Sequence, residues 1–536
     1  MSIISIGVSG LNAAQVALST SSNNITNVYT DGYNLETTSL AASSTGGVEV
    51  TSVDRTFDQF IAAQLNASTS TESALSTYST QVSQVDDLLA DSTSDLDTLM
   101  QDFFSSVQTM SSDASDSAAR EEVIGSAETL VAQFNSLGSY LDDMQSSVSS
   151  QITDQVGQVN DLTDQIATLN QQISALGSNS DAANTLMDQR DSLVTSLSEL
   201  VDVDLTVQDN GSYSISLSNG LSLVSGSNSF ELAATTSSSD PSQTTVSYVD
   251  ASGNQTELDE STISGGSLGG LLTFRSETLD TAQNQLGQMA VALASAFNSL
   301  QTSGTDLNGD TGTAFFSVGD PVVYSNTGNT GSASLSATFS DDLDSLTTSN
   351  YTVSYSDDDG YTVTDASTGS AVAATYDADA GTLGFGGLTV TISGTADDGD
   401  SFLVKPLASA ASTLDTEIDD PSLIAAGSGG GDSDNTIALQ MLDLQNQDLV
   451  GGKSTLAEAY ASLVSEVGST TSSISTRLDN QTSVTDQLTT LQQSSSGVNL
   501  DEEAADLVRY QAYYQACAKI VEVGSTVLDT ILGMDA

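Results

Sequence analysis

Carboxylates are the commonest side chains here that could do chemistry: 71 Asp and Glu stand against nine Lys and Arg and no His in 536 residues, a net charge of −62. Pairs such as Asp86-Asp87, Asp142-Asp143 and Asp397-Asp398 have the group type of a general acid–base couple, but in so acidic a chain solvated surface is the better reading. Asp306-Leu307-Asn308-Gly309-Asp310-Thr311-Gly312 sets oxygen ligands at positions one, three and five, like the start of an EF-hand loop. Thr311 stands where that loop needs Gly, and Ser317 where it needs Glu, so a turn is expected and no metal. The missing histidine removes the commonest general base and transition-metal ligand. No Gly-x-Ser-x-Gly elbow with a plausible base stands between a strand and a helix, and there is no Walker loop, dinucleotide fingerprint or Cys/His cluster. Neither a catalytic residue nor a cofactor is expected, and the chain reads as a non-enzyme.

Charged residues make up 15% of the chain, below the usual share of about 25%, and base is what is scarce. Such a surface repels phosphate backbones and anionic headgroups, so nucleic acid and membrane surfaces are excluded as partners. A saline medium, which screens charge over a few ångströms, or an acidic one, which neutralises carboxylates, is the expected exterior. With 38% apolar residues the chain can bury sizeable cores in several domains. Cys517, the one cysteine, excludes an intrachain disulfide and is expected to pack rather than react. No basic segment precedes an apolar one at the start, so no cleaved secretory signal is expected; no apolar run approaches the length of a membrane span.

Stepping along the chain, the period of the apolar residues changes repeatedly. After Tyr33 a Ser/Thr/Gly stretch to about Val48 reads as a linker, and Val53, Phe57, Phe60, Ile61 and Leu65 resume helical spacing. Ile152, Val159, Leu162, Ile166, Leu169, Ile173 and Leu176 form one long seam, which Gly177 would cap. A turn at 179–181 then brings back a second helix through Leu186, Leu193, Leu197 and Leu200. From Val201 the period becomes two, with turns at Asp209-Asn210-Gly211 and Asn219-Gly220. Helical spacing returns from Leu268 to Phe297. Residues 306–406 are strand-like, with hairpins at Tyr351–Val363 and, around Gly386-Gly387, at Leu383–Ile392. Gly427 to Asn435 reads as a linker, and Leu456, Tyr460, Leu463, Val467 and Ile474 are helical again.

Both ends carry alternating spacings of three and four, the mark of a helix packed on one side. At the head these are Ile4, Gly7, Leu11, Ala14, Leu18, Ser21, Ile25 and Val28; at the tail Leu507, Tyr510, Tyr514, Cys517, Val521, Gly524, Leu528 and Ile531. A helix with one narrow apolar stripe is stabilised mainly by packing. The two stripes either close the domain within one chain or serve as an assembly interface.

Ser9-Gly10-Leu11, Asn23-Asn24-Ile25-Thr26-Asn27 and Gly32-Tyr33 resemble the N-terminal signature of the axial proteins of the bacterial flagellum. The tail from Ser496 to Glu503, with Tyr510-Gln511 and Tyr513-Tyr514, is similar to that of the family's hook-associated junction members, as are Asp188-Gln189-Arg190-Asp191 and residues 265–275. The resemblance implies a structural subunit joining hook to filament, polymerised in a homo-oligomeric ring through its terminal helices. It implies contacts with hook protein and with the second junction protein on the filament side, an export chaperone, and type III export to an extracellular place in the flagellum without cleavage of a signal peptide. Another axial protein, such as a hook protein or the third hook-associated protein, or an acidic surface adhesin, is the alternative.

The fold class expected is multidomain α+β: terminal coiled-coil helices, an elongated helical-bundle body, an inserted small β unit and an all-β outer domain. The expected boundaries are 1–36 with 497–536 for the terminal helices, and 37–200 with 265–305 and 407–496 for the body. The β insertion is placed at 201–264 and the outer β domain at 306–406.

Overall fold

A computed structural model describes residues 2–44, 46–90, 95–176, 181–340 and 343–534. The apolar spacing of the central seam produces one helix of 60 residues, α4 below, which at 1.5 Å per residue runs about 90 Å. It buries Val123, Leu130, Phe134, Leu141, Val148, Ile152, Val159, Ile166 and Ile173 on one face. The helices in chain order are α1 (Ile3–Asn27), α2 (Gln59–Leu89), α3 (Leu96–Ser112), α4 (Ser117–Leu176) and α5 (Asp181–Leu200). They continue as α6 (Gly266–Phe274), α7 (Asp280–Ser303), α8 (Thr436–Asp443), α9 (Leu456–Ser496) and α10 (Leu500–Met534). Their starts carry side-chain caps: Asp58 accepts from the amides of Phe60 and Ile61, Asp95 from that of Asp97, and Thr455 and Glu458 form a capping box on α9. Between α6 and α7 the turn Arg275–Leu279 widens to a π-helical one.

The chain travels out and returns. Ser68 of α2 bonds Thr485 of α9 at 3.0 Å, and Tyr460 donates to the Leu89 carbonyl at 3.0 Å, so α2 and α9 lie antiparallel. The expected α4–α5 hairpin forms, while its predicted cap at Gly177 and most of its turn lie outside the described residues. The main core runs through α2 to α7 and α9 and includes Phe103, Phe297, Phe315 and Phe316, whose ring centroids lie 4.7 to 5.9 Å apart.

The inserted β unit is a four-stranded antiparallel sheet in sequence order from Val203 to Ser229 and a three-stranded one from Leu232 to Glu257. Tyr213, Ile215, Leu217, Leu223 and Val246 bury against the main core. The outer domain packs two antiparallel sheets over a separate core of Val353, Val363, Leu383, Phe385, Val390, Phe402 and Val404. Its two expected hairpins are present, with Val353 opposite Val363 and Phe385 opposite Leu388 around Gly386-Gly387. A Cβ on Gly287 of α7 would lie 2.1 Å from the Leu407 carbonyl oxygen, so the stem of this domain rests directly on helix backbone.

Two readings change. The stretch after Tyr33 is not a linker and Val53 does not open a helix: β1 (Glu36–Ala42) and β2 (Val48–Arg55) form a hairpin with Glu36 opposite Arg55 and Thr38 opposite Val53. β1 is mostly Thr, Ser and Ala with no clear apolar alternation, and the Val48-Glu49-Val50 alternation of β2 is too short to mark a strand by itself. Residues before about 318 also pack with the body: Phe315 and Phe316 are in the main core, and Phe316–Ser317 pairs with Asp415–Thr416.

Candidate functional site: the terminal helix pair and its anchors

Small side chains let α1 and α10 touch backbone to backbone. A Cβ on Gly7 would stand 2.8 Å from Val521 Cγ2, one on Gly10 2.6 Å from Cys517 Sγ, and one on Gly524 2.7 Å from Ile4 Cγ1. Ser21 donates to the Glu503 carbonyl at 3.1 Å, so the pair is antiparallel and forms within one chain. The face of α1 that is buried consists of Gly7, Gly10, Ala13, Ala14, Ala17, Thr20, Ser21 and Asn24.

The residues expected to carry assembly fall around this contact unevenly. Ala14 is buried; Ile4, Leu11, Leu18, Ile25, Val28, Leu507, Tyr510 and Val521 are half-buried; Tyr514, Leu528 and Ile531 are exposed, at 41, 46 and 59%. Exposed beside them are Ile3, Ile6 and Val8 on α1 and Val508, Ile520, Val523, Val527 and Leu532 on α10. Counting one seam missed these. The signal was adjacent apolar pairs, Ile520-Val521, Val527-Leu528 and Ile531-Leu532, which put apolar groups on more than one side of a helix. α1 carries no charged residue and is long and apolar enough, by length and composition alone, to cross a membrane. Counting unbroken apolar runs did not register that. In the fold α1 instead lies against α10, β1 and β2.

The signature residues anchor this pair at its base. Ser9 accepts from the Val48 amide at 3.2 Å and donates to the Ile6 carbonyl at 2.8 Å. Asn24, 1% exposed, holds Glu36 by both ends of its amide: Nδ2 donates to the carbonyl at 2.9 Å and Oδ1 accepts from the backbone N–H at 3.0 Å. Tyr33 also donates to Asn24 Oδ1, at 2.8 Å, and burial beside Glu36 and Asp188 holds its hydroxyl far above its usual pKa. Asn27 donates to the Asn23 carbonyl and accepts from Thr30, which ends α1; Gly32, at φ +77°, turns the chain against Ser192 of α5. The Leu35 amide donates to the Ser496 carbonyl at 2.8 Å, joining head and tail.

A buried ionic lock then fixes this base to the body. Arg55 of β2 pairs with Asp188 at 2.7 Å and Asp191 at 2.6 Å on α5, and Asn34 donates to Asp188 at 2.7 Å. Tyr213 of the β insertion donates to Asp191 at 2.6 Å, its own pKa pushed up to about 12 by burial and that carboxylate. Arg190 lies 3.4 Å from the centroid of the Tyr213 ring and donates to Asn170 at 2.8 Å. A second lock joins the three other units: Lys405 of the outer domain pairs with Asp240 of the insertion at 2.9 Å, beside Asp280 of α7, while Arg275 pairs with Glu260 and donates to the Thr244 carbonyl. Arg120 donates to the carbonyls of Ala114, Pro421 and Ile424. Five of the nine basic side chains are thus buried, four of them joining units and Arg120 bracing the body internally.

Among the described residues no three of His, Cys, Asp or Glu gather as a metal site. Asp306 Oδ1 accepts from the amides of Asn308 and Asp310 at 2.8 and 2.9 Å, a self-contained turn. Residues 265–269 spell Gly-x-Ser-x-Gly, but a Cβ on Gly265 would meet Ser70 and Asp202, and one on Gly269 the backbone of Ser264. These glycines serve close packing in a chain without a histidine.

Outside the locks, burial raises the pKa of Asp142 and Asp202. Hydrogen bonds lower that of Asp250, Asp259, Asp400, Asp420 and Asp434. The raised groups take up protons in the folded chain before the unfolded one does, so their contribution is lost as pH rises through the folded values and fully present below about 4. The lowered groups contribute above that point and lose it as pH falls through their folded values. Thermal unfolding at fixed ionic strength should therefore shift to higher temperature from pH 7 to about 4.5 and fall again in stronger acid. A steady decline from pH 7 downward would contradict this balance.

Family models match four stretches of the chain. The flagellar hook-associated protein FlgK helical domain covers residues 82–316, and the flagellar hook-associated protein 1 D2-like domain 324–406. The flagella basal body rod protein model covers 4–34 and the flagellar basal body rod FlgEFG protein C-terminal model 492–534. The flagellar hook-associated protein 1 of Escherichia coli strain K12 is 44% identical over 548 residues, spanning 99% of this chain and 100% of that one. That of Salmonella typhimurium strain LT2 is 44% identical over 553 residues, with 99% and 100% covered. The solved structure of the flagellar hook junction protein FlgK from Burkholderia pseudomallei superimposes with a TM-score of 0.75 at 32% identity, covering 81% of this chain and 100% of that one.

Proposed function

Because this chain belongs to the flagellar hook-associated protein 1 family, whose members are structural components of the hook–filament junction, we propose that its copies stand side by side in a closed ring, held by the apolar surface of the terminal helix pair. The observation that carries this reading is the run of exposed apolar side chains on α10 from Val508 to Leu532, continued by Ile3, Ile6 and Val8 on α1. Each ~100 Å² of apolar surface hidden between copies would contribute about 2.5 kcal/mol. Small residues close the pair within a chain, and large ones are left for neighbours. The membrane-like composition of α1 then serves contacts among protein helices rather than lipid.

In this reading hook protein meets one side of the ring and the second junction protein the other. An export chaperone covers the apolar surface before passage through a type III channel, the head is retained, and the ring stands outside the cell. The part is mechanical, without catalysis. Relatives matching over 99% of the chain disfavour both another axial protein and an adhesin.

Aspartate at exposed apolar positions tests the surface without disturbing the fold. Leu528→Asp and Ile531→Asp should keep wild-type circular dichroism yet bind isolated hook ends at least about tenfold less, since each such charge would be buried without a partner. Leu11→Asp, at a half-buried site, should do the same with some loss of α1. Normal incorporation of all three would sink this reading.

A further inference from the structure

The basic residues are distributed by depth. Arg55, Arg120, Arg190, Arg275 and Lys405 are inside, leaving Lys453, Arg477, Arg509 and Lys519 on a surface that carries nearly all the acid of a chain with net charge −62. Of those four, Arg509 and Lys519 are already paired along α10 with Asp506 and Glu522. The long helix α4 shows the consequence. Its solvent side presents Glu121, Glu122, Glu128, Asp143, Asp154 and Asp161, and its one basic residue, Arg120, is buried.

Two such surfaces brought side by side offer each other almost no opposite charge. The apolar terminal pair attracts over contact distance alone, whereas the bodies repel over the whole screening length, about 10 Å at 0.1 M salt and about 3 Å at 1 M. Surface bases would have relieved this repulsion, and the chain keeps its bases where they hold its own units together.

We propose that the partner this surface is built for is a dense atmosphere of dissolved monovalent cations, and that screening by those cations gates the packing of one copy against the next. Folding within a chain depends less on the gate, because the buried pairs are shielded from solvent ions. The proposal rests on the reading of the terminal pair as an assembly surface. It adds that assembly is confined to salt-rich media by the body, which that reading leaves neutral.

The test is incorporation of the full chain onto hook ends from the bacterium that encodes it, followed by sedimentation across a sodium chloride series, with circular dichroism on the same samples. Incorporation should rise at least about tenfold between ~0.1 and ~1 M salt while the spectrum changes little. Sodium thiocyanate and sodium sulfate at equal ionic strength should both promote it, sulfate more because it also strengthens apolar burial. A variant carrying E121Q, E122Q, E128Q, D143N, D154N and D161N should reach half-maximal incorporation at lower salt. Full incorporation at ~0.1 M, promotion by sulfate but not thiocyanate, or an unchanged salt profile in the sixfold variant would each overturn the gate while leaving the assembly reading standing. Absence of incorporation at every salt concentration would instead overturn the assembly reading, and the gate with it.

Discussion

Gly7→Leu should pull the two terminal helices apart while the body stays folded. A Cβ alone would stand 2.8 Å from Val521 Cγ2 and 3.2 Å from the Val521 backbone nitrogen, and the backbone cannot swing aside as a side chain can. Overpacking of this kind costs about 1–3 kcal/mol. The pair has no thick core behind it to absorb the strain, because α10 buries little more than Cys517 and Gly524. Amide exchange over residues 3–27 and 500–533 should accelerate by a factor of roughly 5 to 150, with α2 to α7 unchanged. Val521→Ala added to Gly7→Leu should restore part of the protection by making room for the new side chain. Wild-type protection in Gly7→Leu would mean that the helices do not meet on this face.

The second large effect is expected at the lock beneath the pair. Arg55→Met leaves Asp188 and Asp191, whose side chains are 10 and 16% exposed, without their shared cation. Removing one partner of a buried ion pair typically costs 3–5 kcal/mol, because the remaining charge is uncompensated. The Arg55 guanidinium also lies 4.5 Å from the centroid of the Phe57 ring, so that cation–π contact is lost as well. Denaturant unfolding should show a lowered midpoint, and limited proteolysis should open the chain between residues 34 and 57 first, since β1 and β2 are tied to α5 by the lock and by the Asn184 hydrogen bond to the Val53 carbonyl. Adding Asp188→Asn and Asp191→Asn should recover part of the loss, because neutral amides no longer need the cation. Stability unchanged in Arg55→Met would contradict an ionic anchor here and assign the attachment to the hydrogen bonds of Asn34 with Asp188 and of Asn184 with the Val53 carbonyl.

The parts legible in the sequence were those where one periodicity spoke for one environment. The α4 seam, the hairpins around Asp357 and Gly386-Gly387 and the switch to period two at Val201 all alternate large apolar with polar residues, and each forms as read. The β1–β2 hairpin was not legible, because Thr37, Thr38 and Ser39 pair through backbone groups without marking an inner face. The join between body and outer domain was hidden for the opposite reason: Phe315 and Phe316 look equally apolar in either core, and only the pairing with Asp415–Thr416 assigns them.

At the terminal pair, the three-four spacing located the contact, and its small members Gly7, Ala14, Ser21, Cys517 and Gly524 fill it while its largest do not. The closest approach needs the smallest side chains, so Gly7, Gly10 and Gly524 lie against the facing helix while Leu528 and Ile531 remain in solvent. The locks were legible only in part: the resemblance marked Asp188, Arg190 and Asp191 without giving them partners. Nothing in the order of residues distinguishes the buried Arg55 from the exposed Arg509; burial follows from which elements later meet.

The most direct test of the account is thiol reactivity at the exposed face of α10. With Leu528→Cys and Ile531→Cys prepared singly, a maleimide should label both rapidly in the free chain, where the native Cys517 is 5% exposed and slow to react. After incorporation onto hook ends, labelling at both positions should fall at least about tenfold as neighbouring copies exclude water from the face. Equal labelling before and after incorporation would show that the ring is held elsewhere.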